Sequence, residues 1–318
     1  MSPGRRWVRL VALRLLGALG TVAGATALLL ALLFLAPGDP IDTIPNGEAL
    51  RPQLTEQFGL DRPPAVRWAV RLGRALVFDL GTSYVYRPGA PVAEVVARPA
   101  VRTVGLVAAA CALAVGLGGL LAGITAGRRS ALRPLVQAGS LVATFVLADV
   151  LVSGINDATW WALQAGWIER PAWFALPDQA SLVRSALAVA ILAGGSGTLA
   201  EVHAELEDAL VRIRSSPWVD AARARGRVPW GAVLRAMVPA IASTLSDRAA
   251  LLVGGALVVE HVLLMRGVGD ILWQAARLRD YDLALAIALL SAVLVAGTRL
   301  LAEAATLLVD PRLRGAAR

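Results

Sequence analysis

Lysine is absent from this chain of 318 residues, cysteine occurs once and histidine twice. Because Cys111 is the one cysteine, a disulfide within the chain and a metal site built from cysteines are both excluded. The sequence also lacks the GxxxxGKS or GxxxxGKT loop that binds nucleotide phosphates, and it contains no recognisable hydrolytic group of residues. We therefore expect no catalytic residue, no metal site and no cofactor-binding residue in this chain.

Apolar residues dominate what is present. They make up 57% of the chain, and the mean hydropathy is +0.64, so a membrane protein is the expected class. All 31 basic residues are arginines and the net charge is +8, a balance that nucleic-acid-binding proteins also show. Here the arginines lie between apolar blocks and do not form one basic face, so no nucleic acid partner is expected.

Six segments approach the roughly 20 apolar residues that a membrane-spanning helix needs. The first contains an uncharged run from Leu15 to Ala36, which is too long for the apolar region of a signal peptide and is interpreted as a retained helix. The sequence thus predicts an all-α membrane protein with about six transmembrane helices. The predicted spans are 10–36, 101–126, 135–155, 182–200, 241–264 and 283–308.

Arginines are unevenly distributed among the segments that connect these spans. They concentrate before the first span, after the second, after the fourth and after the last. Since short cytoplasmic loops carry the excess of positive charge, both termini are predicted to be cytoplasmic. The predicted organisation is a cytoplasmic N-terminus with the first helix (1–36), an external loop (37–100), a five-helix core (101–309) that includes a cytoplasmic loop (201–240), and a cytoplasmic tail (310–318).

The external loop, which we call the cap, carries folding signals of its own. Trp68, Leu72 and Leu76 recur at helical spacing between turns rich in proline and glycine. A folded external cap is therefore predicted. With this topology Ser83 lies on the external side of the membrane and Ser215 lies on the cytoplasmic side.

The cytoplasmic loop contains the stretch SSPWVDAARARGRVPWGAVLRAMVP at 215–239. Ser216 suits the N-cap of a short helix and Pro217 its first turn, while Gly226 suits a left-handed residue at the C-terminal end. A helix of this length is not stable alone, so it needs a surface on which to dock.

One face of the predicted helix carries Trp218, Ala221, Ala222 and Arg225, at the spacing of adjacent helical turns. The two alanines would let a partner approach closely. Pro239 is expected to bend the following helix near the membrane. A solvated turn at the membrane interface is the alternative interpretation of the whole stretch.

This stretch resembles the cytoplasmic signature of ABC importer permeases, which reads EAA, three residues, G, nine residues, IxLP. In this chain Asp220-Ala221-Ala222 is followed after three residues by Gly226 and after twelve more by Pro239. The spacing is therefore complete, although Asp replaces Glu, and Ala236 and Val238 replace Ile and Leu.

Further segments resemble the dipeptide/oligopeptide/nickel-type permeases, in particular the member of the permease pair that has a long first external loop. The segment that departs most from that family is 131–215. The similar segments are LAPGDP at 35–40, FGLDRP at 58–63, FDLGTSY at 78–84, AGRRS at 126–130, VVEHV at 258–262, RGVGDIL at 266–272, RDYD at 279–282 and LVDPRLR at 308–314.

The resemblance implies the fold and role of a permease subunit of an ABC importer in the bacterial inner membrane. Such a subunit forms half of the translocation pathway in a heterodimer with a second permease. Two cytoplasmic ATPase subunits, which hold ATP and Mg, and an external substrate-binding protein complete the importer. Di- and oligopeptides are the leading substrates. Two alternatives stay open: a permease for nickel or another small solute, and a structural or regulatory membrane subunit that does not transport.

The resemblance also implies that the helix at 217–226 is a coupling helix that contacts the ATPases. The residues that it assigns to this contact are Trp218, Asp220, Ala221, Ala222, Arg223, Arg225, Gly226 and Pro239.

Four ionisable residues within or near the predicted spans are further candidates, because charge is costly inside a membrane. Asp149 is a candidate for lining the pathway or for pairing with Arg184. Arg299 and Glu303 are four residues apart and are expected to form a structural pair. Glu260 lies near the outer end of the fifth predicted span and is a candidate contact for the gate or the binding protein.

Overall fold

A computed structural model describes residues 16–17, 19–28, 31, 41, 49, 51–57, 61–77, 79–127, 132–139, 142–169, 177–226 and 230–309. The predicted cytoplasmic tail at 310–318 lies outside these residues, as do residues 1–15 and part of the cap.

The described residues are helical apart from turns and one antiparallel bridge between Thr82 and Pro91. This confirms the predicted all-α class. We number the helices in chain order from α1 to α12, and a short 3₁₀ turn, Gly195–Gly197, separates α7 from α8. The helices are Leu19–Leu28, Arg51–Gln57, Pro64–Leu76, Val92–Thr125, Leu132–Gly139, Thr144–Gln164, Pro177–Gly194, Thr198–Arg214, Pro217–Ala224, Trp230–Val262, Val268–Arg277 and Tyr281–Val309.

Three of the described helices are long and apolar enough to cross a membrane: α4 with 34 residues, α10 with 33 and α12 with 29. They correspond to the second, fifth and sixth predicted spans. A fourth candidate is a broken span, in which Leu182–Gly194 of α7 and Thr198–Arg214 of α8 meet at an angle of 55°. The structure thus supports three or four spans, and the count of six stays a prediction.

At the third predicted span, 135–155, the structure differs from the expectation. There α5 ends at Gly139, and a separate helix, α6, runs from Thr144 to Gln164. Helix α6 contains Asp149, Asn156 and Asp157, whose polar side chains lower its hydropathy. For this reason α6 does not rank among the described helices that are apolar enough to cross a membrane by themselves.

The chain forms two compact units. The first comprises residues 1–103 and 266–296, and the second comprises 104–265 and 297–318. In the second unit, α8 and α10 pack side by side, with α6 and α7 against them. Their shared core is apolar and includes Leu192, Leu206 and Leu252.

The first unit contains the described part of the cap. Helix α3 includes Trp68, Leu72 and Leu76, so the helical spacing of these residues is confirmed. A turn after α3 then leads back to α4, and it is closed by the Ser83 amide, which donates to the Ala90 carbonyl at 2.9 Å. The cap is therefore folded in this region, and its external location stays a prediction.

A labelling experiment tests that location. Ser83 is an unsuitable probe, because its side chain is 1% exposed and hydrogen-bonded to Asp280. Arg87, in the same turn, is exposed. In a Cys111→Ala background, we expect Arg87→Cys to react with a membrane-impermeant maleimide in intact cells and Ser215→Cys to react only after permeabilisation, as the arginine distribution predicts. Labelling of position 215 from outside would overturn the topology.

Candidate coupling site

Helix α8 leads directly into the predicted coupling helix and is amphipathic. Val202, Leu206 and Leu210 are buried at successive turns, whereas Glu201 is exposed. Its first turn is acidic and its last turn contains Arg212 and Arg214, a distribution that complements the helix dipole. Its buried face packs mainly against α10.

A buried polar contact joins α8 to α4. The Nε2 atom of His203 lies 3.0 Å from Oγ1 of Thr125, and His203 is fully buried. The Thr125 hydroxyl also lies 3.0 Å from the Leu121 carbonyl, one turn earlier on α4. The Glu207 carboxylate lies 3.9 Å from the same nitrogen of His203, on the next turn of α8.

Two arginines fix the position of α8 further. Arg248 of α10 forms an ion pair with Glu201 in the first turn of α8. At the other end of α8, the Arg214 guanidinium donates to the carbonyl of Ala126 at 3.4 Å. Ala126 directly follows the last residue of α4, where carbonyl groups lack partners within the helix. Helix α8 is thus held by polar contacts near both of its ends.

The predicted coupling helix follows as α9, Pro217–Ala224, with Pro217 in its first turn as expected. Ser216 has the extended backbone of an N-cap, but its side chain makes no capping bond. Its hydroxyl instead donates to the Ile213 carbonyl at the end of α8. Gly226 has a φ of +72°, so the predicted left-handed residue is confirmed, although the helix itself ends two residues earlier, at Ala224.

The face of α9 differs in part from the predicted one. Trp218 is 42% exposed, and Ala221 and Arg225 are also exposed. Ala222, in contrast, is 8% exposed and packs inward with Val219. The prediction that Ala222 shares an outward face with Trp218 is therefore wrong, because Ala222 lies on the side of α9 that packs against the rest of the chain.

Two charged residues of α9 were also assigned to the ATPase contact from sequence. Asp220 and Arg223 both lie on the exposed side of the helix. They form an ion pair at 3.6 Å. An exposed pair of this kind contributes little to stability, so both groups are free to exchange partners with a docked surface.

A protein-family model described as "Binding-protein-dependent transport system inner membrane component" matches residues 114–315. The match covers more than half of the chain and includes α8, α9 and α10. The chain belongs to this family. It is a membrane component of a transport system, and the resemblance to peptide-type ABC permeases drawn from the motifs is confirmed by relatives that extend along nearly the whole chain.

Three of these relatives illustrate the similarity. A putative peptide permease protein of Brucella ovis is 29% identical over 316 residues, which cover 95% of this permease and 97% of the relative. The oligopeptide transport system permease protein AppB of Bacillus subtilis is 26% identical over 317 residues, or 94% and 97% of the two chains. The di/tripeptide transport system permease protein DppB of Pseudomonas aeruginosa is 27% identical over 332 residues, or 92% and 95%.

The remaining candidate residues of the permease lie on the long helices. Pro239 lies inside α10, which continues through it from Trp230 to Val262. Glu260 is buried near the end of the same helix. Asp149 lies on the exposed side of α6, and its pairing with Arg184 stays a prediction. On α12, Arg299 is exposed and Glu303 is half-buried, and their pairing also stays a prediction.

His203 and Thr125 are structural residues of this site that sequence reasoning missed. His203 falls within the loop 201–240 that was predicted to be cytoplasmic. The signal that points to its burial is its place beside Val202 and Leu206 on the apolar face of α8, four residues before Glu207. Its partner Thr125 lies 78 residues earlier in the chain, and no local pattern connects the two.

Two glycines of α4 test how closely α8 must approach. A Cβ atom on Gly118 would lie 2.9 Å from Cγ1 of Val202 and 3.2 Å from the His203 amide nitrogen, whereas one on Gly116 would meet no atom within 4 Å. We expect Gly118→Ala to lower stability by about 1–3 kcal/mol through overpacking. Gly116→Ala, the matched control, should be neutral or stabilising by up to about 1 kcal/mol. Thermal unfolding in detergent measures both, and an equal effect of the two substitutions would contradict the close packing.

Proposed function

We propose that this permease is the transmembrane subunit of an ATP-driven importer of di- and oligopeptides and forms half of the translocation pathway. The substrate class rests on the relatives, one named for oligopeptide transport and another for di/tripeptide transport. The observation that carries the mechanism is the exposed face of α9. Helix α9 follows directly after α8, and α8 is held in place by its contacts with α4 and α10.

The partners follow from this role. A second permease subunit completes the pathway, and two cytoplasmic ATPase subunits bind ATP and Mg. An external binding protein delivers the substrate. The complex resides in the bacterial inner membrane with both termini of this chain in the cytoplasm. Family membership supports ATPase and binding-protein partners in general, because the family is defined by binding-protein-dependent transport.

The geometry of α8 and α9 suggests how ATP hydrolysis acts on the membrane helices. When the ATPase pair closes, it displaces α9. Only Ser215 and Ser216 separate α9 from α8, so the displacement passes into α8, whose 17 residues extend for about 25 Å. The contacts of α8 with Thr125 and Arg248 then carry it to α4 and α10. Such a rigid movement of packed helices is a common route of alternating access.

Ala221 of α9 is exposed and Ala222 is buried, so substitutions at these two residues test the docking of the ATPase and the folding of the permease separately. A tryptophan at Ala221 is expected to hold the ATPase surface away and weaken its binding by roughly 5- to 150-fold, which corresponds to about 1–3 kcal/mol of overpacking. The permease itself should keep its stability. Ala222→Trp, in contrast, should lower the stability of the permease, because Ala222 is buried within it. Co-purification of the ATPases and thermal unfolding of each variant distinguish the two effects.

Substitutions at Gly226 and Asp220 complete this series. A Cβ atom at Gly226 meets nothing within 4 Å, so any effect there reports the left-handed backbone and not a collision. Gly226→Val should therefore uncouple ATP hydrolysis from transport, whereas Gly226→Asn should be mild, because asparagine tolerates this conformation. Asp220→Glu should also be mild. If Ala221→Trp and Gly226→Val bind the ATPases and transport like the parent, α9 is only a solvated turn.

ATP-dependent uptake by the reconstituted complex tests the proposed function. Proteoliposomes that contain both permeases and the ATPases should accumulate labelled di- and oligopeptides when the loaded binding protein and ATP are present. A complex whose ATPases have lost the P-loop lysine is the control and should not. Uptake of nickel but not peptides would reassign the substrate, and uptake of neither would favour a regulatory subunit.

A further inference from the structure

The described part of the cap is joined to α12 by two buried carboxylates, those of Asp280 and Asp282. We call this contact the cap joint and define it by Arg71, residues 79–86, and Asp280 and Asp282. All of these residues belong to the first unit. Helix α12 begins at Tyr281, between the two carboxylates, and is one of the helices long enough to cross a membrane.

Asp280 binds the turn of the cap through one oxygen atom. Its Oδ2 accepts hydrogen bonds from the Ser83 hydroxyl at 2.5 Å and from the amides of Tyr84, Val85 and Tyr86 at 3.0, 3.2 and 3.2 Å. Successive amides of this kind form a nest for an anion. Because Asp280 is fully buried, the cap supplies the groups that replace water around this charge.

Asp282 forms the second half of the joint. It pairs with Arg71 of α3 at 3.0 Å, and both side chains are less than 10% exposed, at 6% and 8%. The Tyr84 hydroxyl donates to Oδ2 of Asp282 at 2.6 Å. Burial and, after it, the Asp282 carboxylate raise the pKa of Tyr84 to about 12, so this hydroxyl keeps its proton at neutral pH. The Arg71 guanidinium also lies 5.7 Å from the centre of the Tyr281 ring.

The backbone of the cap approaches α12 so closely that no side chain fits between them at one point. Gly81 has a φ of +69°, and a Cβ atom there would lie 2.8 Å from Oδ2 of Asp282. On the other side of the joint, Arg279 is held at a φ of +54° immediately before Asp280. Left-handed backbone at a residue with a side chain persists only where the surroundings hold it in place.

The cap joint is expected to be rigid, because each of its buried charged groups needs the other groups of the joint as partners. Burying two carboxylates and a guanidinium costs solvation energy, so their presence is weak evidence of added stability. Removing one partner, however, leaves a buried charge without compensation. A force on the turn of the cap is therefore passed to the first turn of α12 and is not absorbed by a flexible linker.

We propose that the cap joint transmits the docking of the external binding protein to α12, with Arg71, Asp280 and Asp282 as positioning residues for transport. This inference rests on the proposed function, since it requires an external binding protein and ATP-driven partners. It assigns a role to the RDYD and FDLGTSY segments that neither segment reveals by itself.

The ratio of stimulated to basal ATPase activity tests the proposal in the reconstituted complex. The probe is the binding protein loaded with trialanine, and the joint variants are Asp280→Asn and Arg71→Met. Both should assemble with their partners and keep the basal ATPase rate. Their stimulation should fall at least about fivefold, the low end of typical coupling between distant sites. Binding of the loaded protein to the complex, measured separately, should persist.

The matched control is Arg98→Met. Arg98 belongs to the first unit like Arg71, but it is exposed and lies outside the cap joint. This substitution removes the same charge as Arg71→Met and should leave the stimulation unchanged.

Each other outcome overturns the proposal. Normal stimulation in both joint variants would show that the joint transmits nothing. A parallel loss of basal and stimulated ATPase activity would show that the cap joint has only a structural role. If Asp280→Asn or Arg71→Met fails to assemble, Tyr84→Phe decides, because it keeps the charged groups of the joint, removes only the hydroxyl that donates to Asp282, and should lower the stimulation partially. A parent complex that shows neither transport nor stimulation would refute the proposed function itself, a result distinct from failure of the joint.

Discussion

The second unit of this permease is organised around α8, whose buried face packs mainly against α10 and which also approaches α4 closely. At Gly118 the two helices come so near that a methyl group would meet Val202 and the His203 backbone. The His203–Thr125 hydrogen bond forms beside this contact, and the Arg214–Ala126 bond forms at the end of α4. Since α9 begins three residues after α8 ends, the packing of α8 also positions α9, the proposed coupling helix.

Buried polar groups mark specific contacts in both units. A polar or charged group that is removed from water costs free energy unless a partner replaces its hydration. Apolar burial is not directional, whereas a hydrogen bond forms only between particular groups, so buried polar pairs determine which faces meet. In the second unit these groups are His203 and Thr125. In the first unit they are the carboxylates of the cap joint.

Sequence reasoning succeeded where one short-range property dominates. Helices α4, α10 and α12 were predicted because each contains a long apolar run. Gly226 was predicted because a left-handed residue favours glycine. At the third and fourth predicted spans the structure differs in detail, because α6 combines apolar residues with Asp149 and Asp157, and Gly195–Gly197 interrupts the helix of the fourth; both spans stay predictions. Hydropathy averaged along the chain does not distinguish a broken or polar helix from a marginal span.

By itself the sequence determined that this protein is a helical membrane permease, which family motifs it carries and where the short helix α9 begins. Those properties depend on composition and on residues close together in the chain. Only the tertiary structure decided that Ala222 faces inward while Ala221 faces outward, because helical spacing does not say which side of α9 meets the rest of the protein. It alone also joined Ser83 to Asp280 across 197 residues, because such a contact exists only after folding brings the two segments together.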